Sequence, residues 1–358
     1  MDSPAREATQ SEPRLRGVVR VMLSRLRAHW LTTLALIAIV GLVIAVNPRE
    51  LFTAVDRVRL PALLLMAGVT IASLAARGLA WRSILRRLGV DVPVRQLLRV
   101  EFAAQAMVLM PAADLARATL LRRASTSARH KKTSEIAATI VLDELCFMIT
   151  LTLAAVPQAI GRRGPSLLVL AVLGGFAVIV ATLVFEPVYL LGLRVVESVK
   201  PLRRWDRQLR NLRPAFTGLL DARTLGAVAF FDGCAVAFSV LLLCIALIAV
   251  GAHSASPVTA GFALAVANVS SGVSLVPLGL GVFEGTVTVL VIASGVVPGQ
   301  AAAAGLLYRG FNDIFMAGLG AVIASATRRR QRSKGGVAAP GDRAIAGSAG
   351  VPISAQKR

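Results

Sequence analysis

Residues 224–250 read TLGAVAFFDGCAVAFSVLLLCIALIAV and contain one charged side chain, that of Asp232. A helix needs about 20 mostly apolar residues to cross the hydrocarbon core of a bilayer, so this stretch is long enough for one crossing. Five further apolar stretches of comparable character lie at 30–46, 60–81, 136–157, 166–191 and 301–326. The sequence therefore predicts an all-α, polytopic membrane protein with about six full crossings.

The composition agrees with a membrane protein. Of the 358 residues, 56% are hydrophobic and 16% are charged, and the mean hydropathy is +0.70. Soluble domains are about 25% charged. The net charge of +21 would suggest nucleic acid in a soluble chain, but here the basic residues occupy short loops between apolar stretches. Basic loops face the cytoplasm and anionic lipid headgroups, so we expect membrane lipids and no nucleic acid as partners.

The distribution of Lys and Arg predicts the orientation. Segments 1–29, 82–99, 117–132, 192–223 and 327–358 hold 33 of these residues, whereas the loops of the opposite side hold five. By the positive-inside rule both termini are cytoplasmic. We divide the chain into a basic N-terminal segment 1–29, a membrane domain 30–326 and a basic tail 327–358 that we expect to be disordered.

Two apolar segments, 97–116 and 258–297, have flanking loops that belong to one side of the membrane. The first lies between basic loops and the second between loops without Lys or Arg. Each is broken midway by a proline, Pro111 or Pro277, and Gly279 and Gly281 follow the second. Broken backbone at membrane depth needs protein or water to satisfy its polar groups. We therefore predict two re-entrant hairpins.

The two hairpins belong to an internal repeat. Pro111 lies 32 residues before Asp143, and Pro277 lies 32 residues before Arg309, which gives an offset of 166 between the copies. Repeat 1 covers about 97–157 and repeat 2 about 258–326. Three predicted crossings lie between the two hairpins, so the copies should have opposite orientation. Inverted repeats with broken helices are typical of transporters.

Ionisable residues in apolar segments are costly and are candidates for function. For Glu101 and Glu186 we expect a position at the membrane interface, while Asp232 is left undecided. Arg309 and Asp313 are four residues apart and should pair on one helical face. The candidate headgroup-binding residues are Arg77, Asp114, Arg117, Asp143, Glu144, Glu284, Arg309, Asn312 and Asp313. Either these charges only pair with one another, or they line a polar cavity in which arginines bind a charged headgroup.

The sequence offers no sign of catalytic chemistry. It contains no HExxH, GxSxG, Walker or GxGxxG pattern, and its three cysteines, Cys146, Cys234 and Cys244, lie in apolar segments without metal-ligand spacing. We expect no cofactor, no metal and no catalytic residue.

Residues 274–285, SLVPLGLGVFEG, resemble the Pro-x-Gly-x-Gly-x-x-Glu signature of the flippase-like transmembrane domain of lysylphosphatidylglycerol synthases. Arg309 follows at that family's distance, residues 77–89 are similar to its Arg-x-x-x-Trp and Leu-Gly motifs, and Pro111, Asp114 and Arg117 are similar to its first-repeat motif. The chain departs from the family in having Ala112-Ala113 after Pro111 and Asp143-Glu144 in the following helix. The resemblance is to stand-alone members without the soluble aminoacyl-transferase domain.

The resemblance implies translocation of an anionic or polyprenyl-linked lipid across the bacterial cytoplasmic (inner) membrane. Two alternatives remain open at this point. One is an intramembrane lipid-modifying enzyme, and the other is a non-catalytic partner of a lipid or cell-envelope biosynthesis complex. Self-association and envelope-synthesis partners are compatible with all three.

Overall fold

The computed structural model of the chain describes residues 48–107, 113–161, 185–198, 213–274 and 279–335, together with residues 174, 177, 178 and 181. All of the regular structure in these ranges is helical. The helices are α1 (Pro48–Val55), α2 (Leu60–Arg87), α3 (Val94–Gln105), α4 (Ala113–Ala124), α5 (Thr126–Arg129), α6 (Thr133–Ala154), α7 (Val156–Gly161), α8 (Glu186–Ser198), α9 (Ala222–Ala249), α10 (Pro257–Val273), α11 (Val282–Ile292), α12 (Pro298–Arg309) and α13 (Met316–Gly335). A π-helical turn, Gly310–Phe315, joins α12 to α13.

Within the described ranges, four helical stretches are long and apolar enough to cross a membrane. They are Leu60–Arg87, Thr133–Gln158, Ala222–Ala249 and Pro298–Ala326. They coincide with four of the predicted crossings, and the chain is a multi-pass, all-helical membrane protein. The predicted crossing 30–46 lies outside the described residues, and most of 166–191 does too.

The ends of the long helices follow from local chemistry. The Asp221 side chain accepts a hydrogen bond from the backbone N–H of Thr224 and so caps α9 at 3.3 Å. Helix α2 ends on Arg86 and Arg87, whose charges favour a helix C-terminus, and Gly89 follows with a φ of 76°.

The two segments predicted as hairpins each form a pair of short helices. Segment 97–116 contains most of α3 and the start of α4, and segment 258–297 contains α10 and α11. In both pairs the two helices pack against each other. Their lengths of 12, 12, 17 and 11 residues fall below the roughly 20 residues of a full crossing.

The chain reverses between α10 and α11 at two glycines in the left-handed region. Gly279 has a φ of 59° and Gly281 a φ of 81°. A β-carbon at Gly279 would overlap the Ser271 side chain, so this turn requires glycine for both conformation and space. Pro111 and Pro277, the predicted breaks, lie outside the described residues.

The offset of 166 extends beyond the predicted repeats to the preceding helices, α2 and α9. Ser73 of α2 and Ser239 of α9 are separated by 166 positions, and their hydroxyl oxygens lie 3.3 Å apart. The Ser73 hydroxyl also donates to the backbone carbonyl of Ala235 at 3.1 Å. Two buried residues that the predicted offset aligns therefore touch.

Helices α2 and α9 are antiparallel. Met66, which precedes Ser73, shares an apolar cluster with Leu242, which follows Ser239. On the other side of the serine contact, Ala80 shares a different cluster with Val228. Equivalent helices that run in opposite directions are what an inverted repeat requires.

Helix α13 packs closely on α3 at Gly320. A β-carbon at Gly320 would overlap the carbonyl oxygen of Phe102 and lie 2.7 Å from the amide nitrogen of Ala106. Both atoms belong to backbone and cannot move aside independently. Gly318, two residues earlier, is exposed and has open space around it.

We expect Gly320→Ala to destabilise the bundle by about 1–3 kcal/mol, because overpacking forces helices apart. The detergent-purified protein is heated, and the fraction that remains folded is measured by size-exclusion chromatography. Gly318→Ala is the matched control and should unfold as the wild type does. Equal melting of the two variants would contradict the close α3–α13 contact.

Candidate functional site

A polar cavity of about 290 Å³ lies between α2, α3, α9, α10 and the π-helical turn. Its polar lining consists of Thr70, Ser73, Arg77, Glu101, Gln105, Arg117, Glu144, Ser239, Asn268, Tyr308, Asn312 and Asp313. The touching serines, Ser73 and Ser239, belong to this lining. The cavity is thus located at the contact between α2 and α9, the helices that precede the two predicted repeats.

Arg117 of α4 is fixed by two buried carboxylates. Its Nε donates to Glu101 Oε2 at 3.1 Å and a terminal nitrogen donates to Asp143 Oδ2 at 3.0 Å. The guanidinium also stacks on the Trp81 ring at 4.5 Å, and the Trp81 Nε1 donates to the Thr139 hydroxyl at 3.0 Å. All five side chains are buried. The Coulomb attraction and the hydrogen bonds offset the cost of placing these charges away from water.

Arg77 of α2 is held differently. A terminal nitrogen donates to Glu144 Oε2 at 2.6 Å, and the guanidinium lies 4.2 Å from the centre of the Phe147 ring. The Arg77 side chain is 22% exposed and that of Glu144 is 46% exposed. This ion pair therefore borders open space in the cavity and can separate at lower cost than the Arg117 pairs.

A second ionic cluster lies beside the cavity in repeat 2. Arg309 forms ion pairs with Asp313, one turn further along, and with Glu284 at 3.6 Å. The Glu284 carboxylate also accepts a hydrogen bond from the Gly281 backbone N–H at 2.6 Å. Glu284 thus joins the start of α11 to α12, and the predicted pairing of Arg309 with Asp313 is confirmed.

The π-helical turn carries the polar residues that follow Arg309. Its wider spacing interrupts the α-helix over Gly310–Phe315, and Asn312 and Asp313 of this turn line the cavity. The Asn312 amide donates to the Asp313 carboxylate at 2.8 Å. Short π-helical segments within α-helices occur frequently at functional sites.

Among the predicted site residues, five line the cavity: Arg77, Arg117, Glu144, Asn312 and Asp313. Three more are outside the lining but connect to it through ion pairs. Asp143 pairs with Arg117, Arg309 pairs with Asp313, and Glu284 pairs with Arg309. Asp114 is in the first turn of α4, and its side chain is not among those described.

The sequence expectation for Glu101 was wrong. Its side chain does not extend to an interface but is buried, with 1% of the residue exposed, and accepts the hydrogen bond from Arg117. The sequence did contain a signal for this pairing. Glu101 and Arg117 lie on opposite sides of the proline of one predicted hairpin, so the two arms of the hairpin bring them together. Glu186, in contrast, is exposed and lies 3.5 Å from Arg213.

Neutral polar residues of the cavity were also missed. Gln105, Asn268 and Tyr308 line it together with the two serines. Because each occurs singly within an apolar segment, no sequence pattern distinguishes it from a residue that bonds its own helix. The Asn268 amide does bond the Leu264 carbonyl at 2.8 Å while the residue still borders the cavity.

Comparison with known families matches residues 30–320 to the lysylphosphatidylglycerol synthase TM region. The match includes both predicted hairpin segments, the long helices Leu60–Arg87, Thr133–Gln158 and Ala222–Ala249, and the stretch Pro298–Ala326 as far as residue 320. The chain belongs to this family. The resemblance read from the Pro-x-Gly-x-Gly-x-x-Glu stretch is therefore confirmed. No curated protein matches the chain at a significant level.

Membership of the lysylphosphatidylglycerol synthase TM-region family relates the chain to lipid handling in a membrane. Glu284, the glutamate of the stretch that carries the resemblance, joins Gly281 to Arg309. Glu284 is outside the cavity lining. Its carboxylate holds the turn before α11 by accepting the hydrogen bond of the Gly281 N–H.

We expect Arg117→Ala to lower the free energy of unfolding by about 3–5 kcal/mol, because it leaves Glu101 and Asp143 buried without their partner. Unfolding in detergent by denaturant or heat measures this. Arg123→Ala, an exposed position on the same helix, should change the stability by less than about 0.5 kcal/mol. In the double variant with Glu101→Ala the losses should be smaller than additive, and strict additivity would show that the two side chains do not interact.

Proposed function

We propose that the chain is a lipid translocase that moves an anionic-headgroup lipid across the bacterial inner membrane through the cavity between its repeats. The observation that supports this most directly is the Arg77–Glu144 pair. It is an ion pair that borders open space in a cavity whose lining also supplies hydroxyl and amide groups. A headgroup needs such a mixture, because a phosphate takes the guanidinium while hydroxyls take neutral polar side chains.

The ion pairs of the site differ in how easily they exchange partners. Arg117 has two buried carboxylates on rigid helices, so replacing either would leave a buried charge unpaired. Glu144 can instead turn toward the open cavity when a phosphate approaches Arg77. We therefore assign headgroup binding to Arg77, and the positioning of Glu101 and Asp143 to Arg117.

The topology suits transport by alternating access. In this proposal six crossings and two re-entrant hairpins form the inverted repeat, both termini are cytoplasmic, and the repeats rock about the contact of Ser73 with Ser239. The contact joins two uncharged hydroxyl groups, so breaking it during this movement costs only about 1 kcal/mol. The hairpins, packed on α6 and α13, would open the cavity to one leaflet and then to the other.

A reconstituted transport assay tests the proposal. Purified protein is placed in vesicles with a labelled lipid, and the fraction of label accessible to an external quencher is followed in time. One series uses phosphatidylglycerol and another a polyprenyl phosphate, since both present a phosphate to Arg77. We expect Arg77→Gln to slow transport by roughly tenfold, which corresponds to about 1.4 kcal/mol in the barrier and to one lost charged hydrogen bond.

The matched control is Arg82→Gln, the same substitution five residues along α2. Arg82 is outside the cavity lining and donates to the Val92 carbonyl at 3.2 Å. This variant should transport as the wild type does. Vesicles with wild-type protein that move label no faster than protein-free vesicles, for either lipid, would overturn the proposed function.

A further inference from the structure

Asp232 of α9 is the most isolated carboxylate among the described residues. It is 0% exposed, and neither of its carboxylate oxygens has a hydrogen-bond partner. With a rise of 1.5 Å per residue, it lies roughly 5 Å from the midpoint of the 28-residue helix. The sequence left open whether Asp232 reaches the membrane interface, and its burial excludes that position.

An ionised carboxylate in this position would be costly. Burying an unpaired charge is far more unfavourable than burying a neutral polar group, and such groups take up a proton instead. Part of the surroundings is apolar, because Val228, one turn before Asp232, packs in a cluster with Leu142 and Leu145 of α6. The geometry therefore favours the neutral, protonated form of Asp232 in this arrangement.

The helix register places Arg77 at the level of Asp232. Ser73 touches Ala235 across the α2–α9 contact. From there Arg77 lies four residues along α2 and Asp232 three residues back along α9, and the two helices are antiparallel. Both steps lead in the same direction by about one turn. Arg77 nevertheless forms its ion pair with Glu144, and its buried Nε has no hydrogen-bond acceptor.

Other titratable and charged groups surround Asp232 from several helices. Those that interact with it electrostatically are Arg77 of α2, Asp143, Glu144 and Cys146 of α6, and Arg117 of α4. Further away, Tyr308 and Arg309 of α12 and Tyr189 of α8 lie beside the same stretch of α9. Asp143 is committed to Arg117. Arg77 also lies 3.9 Å from Asp143, so it can approach Asp232 by giving up this long contact while Arg117 keeps its hydrogen bonds to Glu101 and Asp143.

We propose that Asp232 is a proton-binding site, and that its proton and the Arg77 guanidinium replace each other on this carboxylate. When Asp232 is protonated, Arg77 pairs with Glu144 at the cavity and is available to a headgroup phosphate. When the proton passes to water, the Asp232 carboxylate attracts Arg77 and withdraws it from the cavity. Protonation would then control whether the cavity presents its guanidinium. The transport consequence rests on the proposed function, whereas proton binding itself does not.

Infrared difference spectroscopy of the purified protein in vesicles tests the proton site directly. The wild type should show the C=O stretch of a protonated carboxylic acid that shifts in D₂O and disappears as the pH is raised. Asp232→Asn, which has the shape of the protonated form, should lack this band. Asp221→Asn is the control on the same helix. It leaves an N-cap residue in place, and it should retain the band.

A second variant tests the exchange with Arg77. Removing the competing cation in Arg77→Gln should make the Asp232 band persist to higher pH, by about one pH unit or more, because a nearby positive charge favours the carboxylate. An unchanged midpoint would overturn the exchange. A band that is identical in Asp232→Asn and in the wild type would overturn the site itself.

The transport assay separates this inference from the proposed function. If wild-type transport depends on pH and Asp232→Asn loses that dependence, the proton site regulates translocation. If the Asp232 band titrates but no labelled lipid moves in any vesicle, the proposed function fails and the proton site stands. If lipid moves with the same pH dependence in both proteins, Asp232 does not control the cavity.

Discussion

The structure depends on the neutralisation of guanidinium groups inside an apolar bundle. Arg117 is buried, with 5% of the residue exposed, and Glu101 and Asp143 neutralise its charge from α3 and α6. These contacts determine how the first hairpin pair, α3 and α4, sits against α6. The Trp81 ring stacks on the same guanidinium and so connects α2 to Arg117. One buried cation thereby fixes the relative positions of four helices, and the cavity is the space that remains beside them.

The inverted arrangement of α2 and α9 gives that space its location. Ser73 and Ser239 are small, so the two helices come close at their contact, and polar, so their hydroxyls bond carbonyls or each other. Larger polar side chains lie to either side of this contact. Arg77 lies one turn from Ser73 on α2, and Tyr308 and Asn312 approach from the other repeat. Residues from both halves of the chain therefore line the cavity.

Much of this could be predicted from the sequence, and what could not has physical reasons. Long apolar segments and the asymmetry of Lys and Arg act through the bilayer, so four described crossings appear where hydropathy places them. The pairing of Arg309 with Asp313 is local and follows from helical spacing. The partners of Arg117 are not local, since they come from two other helices, and no periodicity encodes them. Asp232 was undecided because exposure is a property of the neighbouring helices, here α2 and α6, and not of its own sequence.

Each of the two predicted repeats contains a pair of short helices followed by a further helix, but their charged residues lie at different positions. With the offset of 166, Asp143 falls on Arg309, Arg117 on Phe283, Glu101 on Ala267 and Asp313 on Phe147. An acidic residue in one half thus meets a basic or apolar residue at the equivalent place in the other. Two identical halves would surround a substrate with like charges facing one another across the symmetry axis. By dividing the ions unequally, the chain can pair each buried arginine within its own half and still leave one guanidinium, that of Arg77, at the boundary between them. Arg77 thus lies between a carboxylate on α6 with which it pairs, that of Glu144, and a carboxylate on α9 without a hydrogen-bond partner, that of Asp232.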